Sequence, residues 1–180
     1  MNIRPLASDI EWSQWTVVLV KPDCVERGLT GAVLERIRTE VAIVAAEMMT
    51  VADWQIFTHY WDLFVFRHRL GVDVAECLRR RYVGRPVVIA LGHSNANDTA
   101  ARVRALLGDF DPTEARPGTI RADFGTDSLA AARRENRLVD NLVHSSDDAT
   151  AAWRDFHIWF GGHRADELLV VSRTPEEPDL

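Results

Sequence analysis

Residues 15–37 read WTVVLVKPDCVERGLTGAVLERI. The first six are uncharged and dominated by β-branched and aromatic side chains, the pattern of a buried strand. Beyond the Lys-Pro-Asp join the step changes: Leu29, Val33 and Ile37 recur every four residues, and Val41 continues the series. That spacing predicts a helix over 30–40, "TGAVLERIRTE". A buried strand that returns as an amphipathic helix points to a mixed α/β chain. The join also holds the chain's one lysine, Lys21; the other 20 of its 21 basic side chains are arginine. Lys21 and the strand end it follows are therefore the first place to look for chemistry.

Working outward, 41–51 (VAIVAAEMMTV) reads as a second strand, and 52–70 as one long helix with Asp53 a candidate N-cap. Residues 73–84 (DVAECLRRRYVG) read as a shorter helix whose Arg79-Arg80-Arg81 forms a solvated face. Residues 85–92 (RPVVIALG) make a third strand, and 97–108 a helix stopped by Gly108. The stretch 109–127, with two prolines and two glycines, reads as irregular throughout. Residues 128–137 are helical, 138–145 (LVDNLVHS) form a fourth strand, and 146–161 a closing helix with acids in its first turn. One domain is expected over 15–168, with an N-terminal arm (1–14) and an acidic, proline-bearing tail (169–180).

The composition narrows the function classes. A net charge of -6 and a sequence pI near 5.5 argue against nucleic-acid binding through a broad basic face, but leave room for a small anion in a local positive pocket. Cys24 and Cys77 have neither metal-ligand spacing nor a disulfide framework, and read as free thiols in a reducing cytosol. The first 15 residues contain no uninterrupted apolar stretch, and no segment is long enough to span a bilayer. A cytoplasmic protein without membrane attachment is expected.

Several polar residues fall at element ends, where ligand groups gather. Lys21 follows the first strand, Arg121 lies in the Pro-Gly loop, and Asn141 and His144 flank the fourth strand. Taken singly each has an ordinary reading: a hydrogen-bonded histidine, or an arginine pinning a loop. Histidines 59, 68, 93, 157 and 163 show no metal-ligand pattern and read as structural.

Five fragments, in order, resemble the nucleoside diphosphate kinase family: VVLVKPDCVERGLTGAVLERI, HYWDL, RALLGDFDP, RPGTIRADF and DNLVHSSDDATAAWRDFHIWF. The similarity runs from about Trp15 to Phe160. It implies a ferredoxin-like core, four antiparallel strands with helices packed on the sheet, and a homo-oligomer, either a hexamer built from dimers or a tetramer. It also implies transfer of the terminal phosphoryl group of ATP to a nucleoside diphosphate. His144 would be the nucleophile, forming a phosphohistidine. Lys21 and Asn141 would meet the sugar hydroxyls, and Arg104 and Arg121 the phosphate oxygens. Arg102 is a neighbour of Arg104, but the four-residue step to Gly108 matches Arg104. Tyr60 would line the pocket, and Asp147 would face the Mg2+ that travels with the nucleotide. Asp155 falls where the family has the glutamate that orients the nucleophile.

The departures from the pattern matter. Phe110 stands where the family has a phosphate-binding threonine, Cys24 and Ser145 replace glycines, and Asp155 is one methylene shorter than the family's glutamate. Two insertions are apparent, between Leu63 and Pro86 and over 125–140; the second is expected near a loop that relatives use in assembly. Three functions are compatible with this pattern: a nucleoside diphosphate kinase, a phosphotransferase of the same fold redirected to a specialised substrate, or a regulatory protein that holds nucleotides without turnover.

Overall fold

The computed structural model describes residues 10–65 and 71–169. The first nine residues of the expected arm, the end of the long helix read over 52–70 (with His68) and all but the first residue of the tail lie outside these. Four strands, β1 (Trp15–Val20), β2 (Ala42–Thr50), β3 (Pro86–His93) and β4 (Val143–Ser145), form one sheet in the order β2-β3-β1-β4. Every pairing is antiparallel. β1 is paired on both sides and every one of its residues is buried, which is why its sequence is a continuous apolar run. β2 lies at an edge and alternates between exposed and half-buried positions.

Because successive strand residues face opposite sides, β1 divides its side chains between two cores. Trp15, Val17 and Leu19 join Ile56, Leu78, Phe156 and Trp159; these come from α3 (Asp53–His59), α5 (Val74–Tyr82) and α9 (Ala149–Trp159). Val18 and Val20 join Val33, Ile37, Val103, Leu107 and Ile120 on the other face. Those residues belong to α2 (Thr30–Ile37), α6 (Thr99–Leu107) and α7 (Ile120–Phe124). Each fully buried side chain of this size contributes about 1.5–3 kcal/mol.

The structure departs locally from the sequence reading at several points. The single helix expected over 52–70 breaks: Tyr60, at φ -99° and ψ 33°, separates α3 from α4 (Trp61–Val65). A short helix, α1 (Pro22–Glu26), starts immediately after Lys21, with Pro22 at its first position, where proline's missing N–H costs nothing. The stretch 109–127 is not irregular throughout. Pro117 and Gly118, the latter at φ +87°, form the turn before α7 rather than an interruption of it. The fourth strand is three residues long instead of eight, because Leu142 adopts φ +69° and the chain before it leaves the sheet. Asp23 Oδ2 accepts a 2.8 Å bond from the Leu142 amide, and holds this rarely populated conformation in place. Gly108 does end α6, at φ +84°, and a Cβ there would collide with the Thr119 side chain. Residues 125–140 contain α8 (Leu129–Arg134); α10 (Ala165–Leu168) closes the described chain.

Candidate active site

His144 is the central residue of β4, registered opposite Leu19 of β1. Its half-buried imidazole opens onto a cavity of about 620 Å³. Lys21, at the end of β1, donates a 2.6 Å hydrogen bond from Nζ to Asn141 Oδ1, and Asn141 Nδ2 donates to the Phe110 carbonyl at 2.7 Å. Arg121, projecting from α7, is buried. It donates to the carbonyls of Val143 (2.7 Å), Gly108 (3.0 Å) and Asn141 (3.3 Å). A guanidinium has five N–H groups, so donors remain on Arg121 beyond these three bonds. Arg104, near the end of α6, pairs with Asp147 and reaches toward the Ser145 carbonyl at 3.5 Å. Tyr60, placed by the break between α3 and α4, shares a 3.1 Å hydrogen bond with the Tyr82 hydroxyl.

The electrostatics follow from this crowding of cations around a neutral ring. Burial first, then His59, Lys21, Arg104 and Arg121, hold the His144 pKa well below the usual histidine value. The ring is therefore unprotonated at neutral pH, with a lone pair available. Burial and the nearby Arg121 lower the Lys21 ammonium to about 8, against the opposing pull of Asp23 and Asp140. Burial raises both tyrosine hydroxyls above their ordinary value, so they act as neutral donors.

Lys21, Tyr60, Arg104, Arg121, Asn141, His144 and Asp147 all line the one cavity. Asp155 does not: it is fully buried beneath it on α9. Its Oδ1 lies 3.2 Å from His59 Nδ1 and accepts from Arg154, and its Oδ2 accepts a 2.9 Å bond from the Ser146 hydroxyl. Burial alone would raise its pKa, but the His59 bond and Arg154 outweigh that and lower it.

His59 is the residue that sequence reasoning missed. It is buried, its ring stands edge-on to His144 with centroids 4.7 Å apart, and among the described residues His59, His144 and Asp155 form a cluster whose ligand-type atoms lie within 4.8 Å of one another. The signal lies in the His-Tyr pair of HYWDL, whose histidine neighbours the pocket tyrosine Tyr60 in sequence. Arg81 is a second omission. Instead of belonging to a solvated face it turns into the cavity wall, 2.8 Å from Asp140. The insertion over 125–140 also reaches the site, through Leu129, Arg133, Arg137, Leu138, Val139 and Asp140.

A ferredoxin-like sheet carrying a neutral imidazole among guanidinium and ammonium groups defines a class of protein that handles phosphate esters. The comparisons make this specific. A family model described as nucleoside diphosphate kinase matches residues 14–165. A nucleoside diphosphate kinase of Pyrobaculum aerophilum is 32% identical over 182 residues, covering 86% of this chain and 97% of the relative. One of Borreliella burgdorferi is 34% identical over 165 residues, covering 91% and 95%. The solved structure of a transition state mimic of the Borrelia burgdorferi enzyme, with bound vanadate and ADP, superposes with a TM-score of 0.76 at 34% identity, covering 89% of this chain and 93% of that one. The chain therefore belongs to the nucleoside diphosphate kinase family, and with it to the enzymes that move phosphoryl groups between nucleotides. No helix among the described residues is long and apolar enough to cross a membrane.

Proposed function

We propose that His144 carries the phosphoryl group from a nucleoside triphosphate to a nucleoside diphosphate in two half-reactions. In the first, the ring's lone pair forms a bond to the γ-phosphorus while the bond to the β–γ bridging oxygen breaks, and the diphosphate leaves with that electron pair. In the second, a new diphosphate takes the group from the phosphohistidine by the reverse route. Splitting the transfer lets one pocket serve both nucleotides. The observation that carries this reading is a single neutral imidazole facing a cavity whose near wall holds Lys21, Arg104 and Arg121.

The remaining donors of Arg121, with Arg104, suit phosphate oxygens, since a planar fork binds them in pairs. Lys21 and Asn141, already joined, suit the sugar hydroxyls, and Tyr60 lines the same space. Asp147 would be the carboxylate that holds Mg2+. Its side chain is 56% exposed at the cavity edge, and one carboxylate plus substrate phosphates is an ordinary donor set for that ion. When bound, Mg2+ neutralises charge on the phosphate oxygens. Asp147 would then exchange its pairing with Arg104 for the ion, freeing the guanidinium for phosphate.

A protein that only held nucleotides would have no use for a neutral nucleophile at the cationic end of the cavity, which disfavours the non-catalytic reading. A homo-oligomer, hexamer or tetramer, is proposed on the edge position of β2 with Val44 and Met48 exposed. A cytoplasmic setting rests on two free, buried thiols.

The test is to incubate the protein with γ-labelled ATP and Mg2+, isolate an acid-labile, alkali-stable phosphoprotein, and chase the label with a panel of diphosphates. His144→Ala should abolish labelling with nucleotide affinity unchanged within a few fold. Full labelling of that variant would remove His144 from the reaction.

A further inference from the structure

The His144 imidazole makes no hydrogen bond to any described residue, although a nucleophilic ring needs one nitrogen held as N–H so that the other keeps its lone pair toward the substrate. The ring it leans on is His59, at 85° and 4.7 Å between centroids. His59 is 2% exposed, and its Nε2 is buried with no hydrogen-bond partner. Such an orphaned nitrogen is costly in a protein interior, and asks for an explanation.

The other side of the His59 ring is over-subscribed. Nδ1 lies 3.2 Å from Asp155 Oδ1 and 3.2 Å from the indole Nε1 of Trp159, which donates to it. One nitrogen cannot donate to the carboxylate and accept from the indole at once. The two contacts therefore select opposite tautomers. If Nδ1 carries the proton and donates to Asp155, Nε2 is an acceptor; if Nδ1 accepts from Trp159, Nε2 carries the proton.

We propose that His59 is a positioning residue for the nucleophile, linking the buried Asp155 carboxylate to His144. Asp155 holds the His59 tautomer whose Nδ1 donates to Oδ1, and the free Nε2 accepts the N–H of His144. One ligand-type nitrogen of each ring lies within 4.8 Å of the other, and the proposal requires the His144 ring to turn so that its N–H meets His59 Nε2. No proton moves along the chain Asp155, His59, His144. It fixes which His144 nitrogen is the lone pair, and it places the carboxylate's charge where the ring turns cationic as the bond to phosphorus forms. Arg154 and Ser146 hold the Asp155 oxygens in place. Asp155 thus acts through an intermediary, because its own carboxylate makes no hydrogen bond to the nucleophile.

The inference rests on the phosphohistidine reading, and the experiment separates the two. His59→Phe keeps an aromatic ring in the packing while removing both nitrogens. Single-turnover formation of the labelled phosphoprotein should slow by about 100-fold, the scale of a misplaced reacting group, with nucleotide affinity and the thermal melt measured on the same sample. Asp155→Glu in that background lengthens the carboxylate's reach by about 1.5 Å, enough to bond His144 directly, and should recover at least a tenth of the lost rate. Nitrogen-15 spectra of the unaltered protein should show His144 as one neutral tautomer. Unchanged labelling in His59→Phe, a double variant no faster than the single one, or an even mixture of His144 tautomers would each overturn the proposal. Labelling that survives His144→Ala would instead overturn the phosphohistidine itself.

Discussion

The Lys21 ammonium bonds the Asn141 side-chain oxygen at 2.6 Å, joining residues 120 positions apart across the floor of the cavity. The same ammonium lies 5.8 Å from the centre of the Tyr60 ring, so its space is bounded by an amide on one side and an aromatic face on another. A slim, rotatable head suits that space better than a broad planar fork, which favours lysine at this one position in a chain that otherwise uses arginine.

Lys21→Arg should therefore lower kcat/KM by about tenfold or more, the scale of losing a hydrogen bond to a charged group. The unaltered enzyme should also lose kcat/KM as pH rises through about 8, because the lowered Lys21 pKa means the charge disappears there rather than near 10.5; kcat/KM reports groups of the free enzyme. A pH–rate profile flat to pH 9.5 would refute the assignment.

In the proposed reaction His144 must be neutral to attack, and its pKa is held well below 6.5 by burial and by the surrounding His59, Lys21, Arg104 and Arg121. A lowered pKa keeps the ring unprotonated until the solution is distinctly acidic. The acid limb of kcat/KM should lie below pH 6.5; a limb at or above that value would contradict the electrostatic account.

Arg121 has a structural task beside the chemical one proposed for it, since three backbone carbonyls accept its hydrogen bonds. Arg121→Lys keeps a charge but cannot reach all three. It should cost about 1–3 kcal/mol of stability for each buried carbonyl left unpaired, besides slowing turnover. Urea melts with parallel assays check this, and an unchanged midpoint would reduce Arg121 to a ligand contact alone.

Phe110 is 53% exposed at the cavity, and its carbonyl rather than its ring is what Asn141 uses. Phe110→Thr should leave stability within about 0.5 kcal/mol, as expected for an exposed position, and raise turnover by supplying a hydroxyl donor. A fall in kcat would show that the ring itself touches the substrate.

Residues 15–37 were enough to establish a buried strand followed by an amphipathic helix, because strand and helix periods are local properties of a chain. The five fragments then carried the family, and with it Lys21, Tyr60, Arg104, Arg121, Asn141, Asp147 and His144, all of which the fold gathers around one cavity. What the sequence could not supply was the set of partners. Leu142 at φ +69° shortens β4 only because Asp23, 119 residues earlier, accepts its amide proton. Arg81 leaves its expected solvated face because Asp140 stands opposite. Asp155 bonds His59 because their helices, α3 and α9, pack side by side against the same face of the sheet. Local periodicity reports which face of an element is buried. Hydrogen-bond pairing depends on ångström-scale distances between elements that only the packed core sets.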